Sequence, residues 1–123
     1  MLYDPFSPAK NPSMWTERLF ANIYNRTDPE HPCALATYTR STLVRVSLLL
    51  SGFYVGIGRA TGEKEETTVA ANSLTLIDEP LDRRWLARVR RSTSAEPLQE
   101  PVYRQLRLSE EKWEKLTALP QFQ

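Results

Sequence analysis

The chain has 123 residues, of which 41% are hydrophobic and 25% are charged, so it has the length and composition of one globular domain rather than of a disordered chain. A net charge of +1 indicates little about partners, but one cysteine excludes an internal disulfide and is typical of a reducing compartment. No apolar stretch has the roughly 18 residues needed to span a membrane, and no secretory signal peptide is recognisable. We therefore expect a cytoplasmic protein.

The first segment, DPFSPAKNP at residues 4–12, has the composition of a loop that follows a buried strand. At the carboxyl end of such a strand an acid, here Asp4, lies where open α/β sheets bind ligands. Pro5 and Pro8 stiffen the loop, and a lysine and an asparagine follow. Trp15 offers a flat face that either stacks on a base or anchors the next helix. A functional loop and a merely rigid connection both fit this pattern.

Hydrophobic spacing and capping residues predict four helices. The first begins at Asn11 and Pro12, the second starts near Ser41 and ends at Gly52, and the last is capped by Ser109. The predicted helices cover residues 11–25, 40–53 and 80–91, and a C-terminal helix begins at residue 109.

Three short segments bounded by chain-breaking residues predict strands, at 33–39, 54–60 and 67–72. The last two are separated by the polar loop TGEKEE, so we expect an antiparallel hairpin at the end of a largely parallel sheet. Residues 92–106 have no periodic pattern and predict a linker or an arm laid over the domain. The order of elements predicts an α/β fold.

Familiar catalytic and metal-binding patterns are mostly missing. His31 lies between Glu30 and Pro32 in a segment that favours a surface loop, and Cys33 at a strand start is typical of a small buried residue. One histidine and one cysteine exclude a Cys/His metal site, so no metal is expected. The glycines of GIGRATG, residues 56–62, have the context of a hairpin rather than of a phosphate-binding turn. The arginines of 83–91 fit a phosphate-binding face and a solvated helix face equally.

Two segments resemble a known family. DPFSPAKNPSMWTERLF at residues 4–20 and LATYTRSTLVRVSLLLSGFYVGIG at 35–58 resemble the second half of the methyltransferase domain of MnmC-type tRNA-modifying enzymes. The resemblance runs over residues 2–71 and is weak beyond residue 72. It implies a partial Rossmann-like methyltransferase sheet, with the last parallel strands, an antiparallel C-terminal hairpin and flanking helices. The corresponding domains are 1–77, the C-terminal half of the methyltransferase-like domain, and 78–123, a helical and basic extension.

The resemblance also implies an activity, namely S-adenosylmethionine-dependent methylation of the aminomethyl group on a tRNA wobble uridine. Asp4 corresponds to the family's catalytic carboxylate, which positions the amine and takes up its proton. Pro8 is a further pocket residue. The remaining expected site residues are Phe6, Lys10, Asn11 and Trp15 for substrate, Pro5 and Phe6 for the cofactor, and Arg83, Arg84, Arg88 and Arg91 for RNA, the last set being inferred from charge and not from a motif.

One departure from the family pattern concerns the cofactor. The family's glycine-bearing turn and the acid of its second strand are not found among these residues, and its Gly-Gly is replaced by His31 to Ala34. We therefore expect the chain to be a truncated or split form that binds S-adenosylmethionine poorly alone. The alternatives are a non-catalytic remnant with some RNA affinity and a protein-interaction module.

The expected partners are tRNA, a complementary chain with the cofactor-binding half, or a second copy that pairs along an exposed sheet edge. Neither a membrane nor DNA is expected.

Overall fold

A computed structural model describes residues 12–28, 30–37, 39, 41–59 and 66–123, and the structural statements below concern these residues. The α-helices are α1 (Glu17–Asn25), α2 (Thr42–Ser51), α3 (Arg83–Arg91) and α4 (Glu110–Thr117). The strands are β1 (Ala34–Thr37), β2 (Tyr54–Arg59), β3 (Glu66–Ala71) and β4 (Glu79–Pro80). Short 3-10 helices lie at Pro12–Met14, Leu74–Leu76 and Pro120–Phe122.

Local capping residues fix several helix ends where the sequence predicts them. The Ser41 hydroxyl accepts a hydrogen bond from the N–H of Val44 at the start of α2, and the Ser109 hydroxyl accepts one from the N–H of Lys112 at the start of α4. Gly52 ends α2 in the left-handed region, with φ +120°. The predicted limits of α2 are therefore confirmed.

The first helix begins later than predicted. Pro12 starts a 3-10 turn, and α1 starts at Glu17 behind Thr16, whose hydroxyl accepts a hydrogen bond from the N–H of Leu19 at 3.2 Å. Thr16 is extended and bridges to Leu98, with the N–H of Glu17 donating to the Leu98 carbonyl at 2.9 Å. A long-range contact that the local pattern does not contain thus separates the 3-10 turn from α1.

We expect Gly52→Ala to lower the free energy of unfolding by about 2–3 kcal/mol. The backbone would be held at φ +120°, and the new Cβ would lie 2.7 Å from Cε1 of Tyr24. Urea denaturation followed by circular dichroism measures the loss. In a Tyr24→Ala background the steric part disappears, so Gly52→Ala should then cost only about 1–2 kcal/mol. An equal cost in both backgrounds would contradict the clash.

The four strands form one sheet in the order β1-β3-β2-β4, and each of these pairings is antiparallel. The predicted hairpin is confirmed as β2 and β3, in register from Tyr54↔Ala71 to Arg59↔Glu66. β1 and β2 run in the same direction, but β3 returns between them, so these two strands are not paired with each other. The predicted α/β class, with flanking helices and an antiparallel C-terminal hairpin, is confirmed. The sequence also predicted a largely parallel sheet, but every pairing among the described strands is antiparallel.

The sequence did not predict the short strand β4, which pairs with β2 through Gly56↔Pro80 and Ile57↔Glu79. Gly56 makes this pairing possible, because a Cβ there would lie 2.6 Å from the carbonyl oxygen of Glu79. The glycines of β2 therefore serve strand packing, in agreement with their interpretation as hairpin backbone.

Beyond β4, the edge of β2 is covered by one side chain. The amide of Gln121 donates to the carbonyls of Val55 at 2.6 Å and Leu81 at 3.0 Å. Its own oxygen accepts a hydrogen bond from the N–H of Val55 at 2.9 Å. This amide therefore pairs with Val55 as a backbone peptide group would.

Residues on both sides of the predicted domain limit at residue 77 belong to one hydrophobic core. The side chains of α2 are central to it, and the later part of the chain adds Trp85, Val89, Leu98 and Leu116. Leu98 comes from the 92–106 arm, which is pinned where the N–H groups of Ala95 and Glu96 donate to the carbonyl of Leu106. The division into 1–77 and 78–123 stays a prediction. None of the described helices is long and apolar enough to cross a membrane.

Candidate nucleic-acid interface

The predicted active-site loop lies almost entirely outside the described residues. The roles predicted for its members therefore stay predictions. The site residues concerned are Asp4, Pro5, Phe6, Lys10 and Asn11, together with Pro8.

Trp15 is the one member of that predicted set whose position is described. Its side chain is 1% exposed, and its ring meets that of Phe20 edge to face at a centroid distance of 6.1 Å. Of the two interpretations of this tryptophan, the buried ring supports the helix anchor over the base-stacking face.

The basic segment after residue 80 forms α3 because Asp82 caps it. The Asp82 carboxylate accepts hydrogen bonds from the N–H groups of Arg84 at 3.0 Å and Trp85 at 3.2 Å. Trp85 and Val89 are buried one turn apart, and Leu81 is buried just before the helix. The predicted four-residue apolar spacing is confirmed, and the arginines occupy the remaining faces.

Two of the five arginines of α3 form contacts with the C-terminal part of the chain. Nε of Arg83 donates to the carbonyl of Phe122 at 2.9 Å. Arg90 donates to Glu110 at 2.8 Å, and its guanidinium lies over the ring of Trp113 at 4.5 Å from the centroid. Both contacts attach α3 to the C-terminal part of the chain, so a structural role accounts for these two side chains.

The other three arginines, Arg84, Arg88 and Arg91, lie four and then three residues apart, which places them along one helical face. Within the described part of the chain their guanidinium groups make no hydrogen bond or ion pair, and all three residues are exposed. A stripe of unneutralised guanidinium groups is typical of a surface that contacts phosphates.

A cavity of about 360 Å³ adjoins this stripe. Arg84 and Arg88 line it from α3, and Arg45 of α2 lines it as a third arginine. Two carboxylates, those of Glu79 and Asp82, also line it, so guanidinium groups outnumber carboxylates by three to two. Arg83 and Arg91 do not line this cavity.

Arg45 is the functional candidate that sequence reasoning missed. It is 2% exposed, its Nε donates to the hydroxyl of Thr68 at 2.9 Å, and Nη2 donates to the carbonyl of Thr67 at 3.2 Å. The sequence did contain an indication of this role. Arg45 is the one charged residue in the otherwise largely apolar run 43–50, and a charge buried in such a run requires partners.

The bonds of Arg45 place the cavity relative to the sheet. Thr68 of β3 pairs with Thr37, the last residue of β1. Its hydroxyl donates to the carbonyl of Thr39, two residues after β1 ends, at 2.6 Å. Ile57 also pairs with Thr68 and lines the cavity. The cavity therefore borders β2 and β4, at the level of Thr68 in β3 and of the last residue of β1, Thr37.

The remaining titratable candidates have structural positions. The side chain of His31 is 81% exposed, as expected for a surface loop. Its Nδ1 lies 2.6 Å from Oδ2 of Asp28. Hydrogen bonds from the N–H of Glu30 and from His31 lower the pKa of Asp28. Cys33, expected as a small buried residue, is half-buried, and its N–H donates to the side-chain oxygen of Asn72 at the strand end. No metal-binding group of three or more His, Cys, Asp or Glu residues occurs in the described ranges.

Comparison with known proteins gives consistent matches. The model of a family described as "S-adenosyl-L-methionine-dependent methyltransferase" matches residues 1–73. The tRNA 5-methylaminomethyl-2-thiouridine biosynthesis bifunctional protein MnmC of Ectopseudomonas mendocina is 36% identical over 85 residues, 69% of this chain and 12% of that protein. The protein of the same name from Aeromonas hydrophila is 40% identical over 63 residues, 51% of this chain and 9% of that protein.

A solved structure extends the similarity beyond the family match. The crystal structure of MnmC2 from Aquifex aeolicus superposes with a TM-score of 0.64 at 34% identity, covering 94% of this chain and 35% of that chain. This superposition includes the region of α3 and α4. The chain thus spans about an eighth of the curated relative from Ectopseudomonas and about a third of the solved structure.

Proposed function

The chain belongs to the S-adenosyl-L-methionine-dependent methyltransferase family, and we propose that it is the acceptor-side part of an MnmC-like domain that methylates the aminomethyl group of a tRNA wobble uridine. The observation that carries the proposal is the family match over residues 1–73, which includes the whole DPFSPAKNP segment. The similar proteins named for tRNA 5-methylaminomethyl-2-thiouridine biosynthesis support the substrate class. The proposal includes a cytoplasmic location, where tRNA is modified.

Asp4 is the proposed catalytic residue. S-adenosylmethionine, when bound, supplies an electrophilic methyl group, and an amine can attack it only as the free base. The Asp4 carboxylate would accept a hydrogen bond from the amine, orient its lone pair and take up the amine's proton, as the N–C bond replaces the S–C bond of the methyl group and the neutral thioether leaves. Phe6, Lys10 and Asn11 complete the substrate side, while Trp15 supports the loop from the core.

The cavity beside α3 does not fit S-adenosylmethionine. The sulfonium and the ammonium group of this cofactor are cationic, and the cavity beside α3 is lined by three guanidinium groups. No cofactor contact is therefore derived from the described residues. Pro5 and Phe6 remain the proposed contacts within this chain, and the glycine-bearing turn of the family lies outside these 123 residues.

RNA recognition is proposed for the arginines of α3. Arg83, Arg84, Arg88 and Arg91 all lie on this helix, but Arg83 already donates to the Phe122 carbonyl. The stripe of Arg84, Arg88 and Arg91 is therefore the main proposed contact to the tRNA backbone.

Methyl transfer tests the proposal directly. The 123-residue chain is mixed with S-adenosylmethionine carrying a labelled methyl group, with tRNA bearing aminomethyluridine, and with or without the N-terminal half of a similar MnmC methyltransferase domain. We expect labelled tRNA only when both polypeptides are present, and Asp4→Asn should reduce the rate by about 100-fold or more.

Two outcomes would contradict this proposal. Undiminished transfer by Asp4→Asn would remove its catalytic role. Binding of tRNA without transfer in any combination would favour the second candidate, an RNA-binding module without catalysis, which the unneutralised arginine stripe of α3 supports.

A further inference from the structure

We propose that the cavity between α3 and the sheet binds a single phosphodiester group of the RNA substrate, with Arg84 and Arg88 as its direct contacts and Arg45 as a fixed positive charge on its buried wall. This inference rests on the proposed RNA substrate and assigns it a particular subsite. The three side chains come from two helices that are about forty residues apart in sequence, and the cavity brings them together.

The spacing of Arg84 and Arg88 suits one phosphate. Residues four apart on a helix have neighbouring Cβ atoms, so two long side chains can converge on one group. Each guanidinium can donate two parallel hydrogen bonds to phosphate oxygens. Both residues line the same cavity, whereas Arg91, the third member of the stripe, lies outside it.

Arg45 contributes charge at a fixed position. Its hydrogen bonds to Thr68 and to the carbonyl of Thr67 hold the guanidinium in one orientation, and it is 2% exposed. A guanidinium keeps its proton in a buried site. At a wall of low dielectric its field acts on an anion more strongly than that of a solvated side chain.

The acidic residues of the cavity do not cancel this charge. The Asp82 carboxylate accepts two backbone N–H groups at the start of α3, so the helix terminus stabilises its charge. Glu79 lies in β4 as an exposed residue. Among the described residues that line the cavity, three carry a guanidinium group and two a carboxylate, a balance that favours an anion such as a phosphodiester.

The cavity is also placed for this task. It borders β2 and β4, and the contacts from Arg45 to Thr68 and from Thr68 to Thr39 place it level with the carboxyl end of β1. A phosphate held there anchors the RNA at the sheet end where the acceptor-side loop is expected. Its role is therefore to position the RNA rather than to take part in methyl transfer.

A double-mutant cycle tests the shared phosphate. A fluorescein-labelled RNA stem-loop is titrated with the 123-residue chain at several KCl concentrations, without S-adenosylmethionine, and affinity is read from fluorescence anisotropy. We expect Arg84→Ala and Arg88→Ala each to weaken binding about tenfold, and the double variant to be little weaker than either. In the double variant, the magnitude of the slope of log K against log salt should be about 0.7–0.9 smaller than in the unsubstituted chain, which corresponds to one phosphate contact.

Arg91 provides the matched control on the same helix. Arg91→Ala removes the same charge outside the cavity, so its effect should add to that of Arg84→Ala. Additive losses for Arg84 and Arg88, a slope change of two phosphates, or unchanged affinity would each overturn the shared subsite. Unfolding curves of these exposed variants should match that of the unsubstituted chain.

Two further measurements distinguish the RNA phosphate subsite from a free-phosphate site and from the proposed methyl transfer. The first is calorimetry with inorganic phosphate. If the heat of phosphate binding disappears in the Arg84→Ala/Arg88→Ala double variant while RNA affinity does not change, the cavity is a free-phosphate site, and the RNA assignment is overturned. Because the titration involves no methyl transfer, failure of the methyl-transfer assay with an intact Arg84–Arg88 coupling would contradict the proposed reaction and not this subsite.

Discussion

Replacing Trp15 with alanine is expected to lower the free energy of unfolding by about 3–5 kcal/mol, because it removes a large buried side chain and leaves a cavity. The indole is 1% exposed and packs edge to face on Phe20. Urea denaturation followed by circular dichroism measures the loss. Trp15→Phe, which retains an aromatic ring, should recover part of the stability.

Trp113 is the matched control, since it is the same residue type but only partly buried beneath Arg90. Trp113→Ala should cost about 1–2 kcal/mol, the order of a cation–π contact with some apolar burial. If Trp15→Ala were as stable as the original chain but bound RNA less tightly, the base-stacking interpretation would replace the anchor. A large loss of stability would leave the anchor as the main role of this residue.

Arg45→Ala is expected to cost about 3 kcal/mol, because two hydrogen bonds from a buried charged group are lost and the Thr67 carbonyl loses a donor. The side chain lies in the core of α2, where each neighbouring position from Leu43 to Leu49 is buried. Thermal and urea unfolding give the change in stability.

Thr68→Val is the partner variant for a double-mutant cycle. It keeps the shape of the buried side chain but removes the hydroxyl, which accepts from Arg45 and donates to the carbonyl of Thr39. The Thr68→Val change should cost about 1–3 kcal/mol, and the two losses should be less than additive. Fully additive losses would show that these side chains act independently.

The parts of the fold that the sequence predicts well are those set by neighbouring residues. Ser41, Gly52 and Ser109 mark helix ends because a hydroxyl or a missing Cβ acts within one turn. The β2–β3 hairpin follows from two apolar runs flanking a polar loop. The order of the predicted elements indicated the α/β class, which the structural similarity to Aquifex MnmC2 confirms.

The parts that it could not predict depend on distant contacts. Five arginines in nine residues have the same local pattern, yet Arg83 bonds to Phe122 and Arg90 to Glu110, while the guanidinium groups of the other three make no hydrogen bond or ion pair within the described residues. Likewise the start of α1 depends on Leu98, more than eighty residues along the chain. No local pattern contains these partners, so the contacts of Arg83 and Arg90 and the cavity beside α3 were not foreseen. The RNA-binding role of Arg83, Arg84, Arg88 and Arg91 stays a prediction.

The pairing of Gln121 with Val55 has a consequence for association. The exposed edge of a sheet offers N–H and C=O groups on which another chain can add a strand. At Val55 both groups are already bonded to the Gln121 amide, whose position depends on the short helix Pro120–Phe122. Strand addition by a second copy at Val55 therefore requires Gln121 to be displaced, and the Val55 carbonyl must also lose its bond from the N–H of Leu81. Docking of the short helix Pro120–Phe122 thus protects this point on the edge of β2, and amide hydrogen exchange at Val55 reports whether that protection is in place.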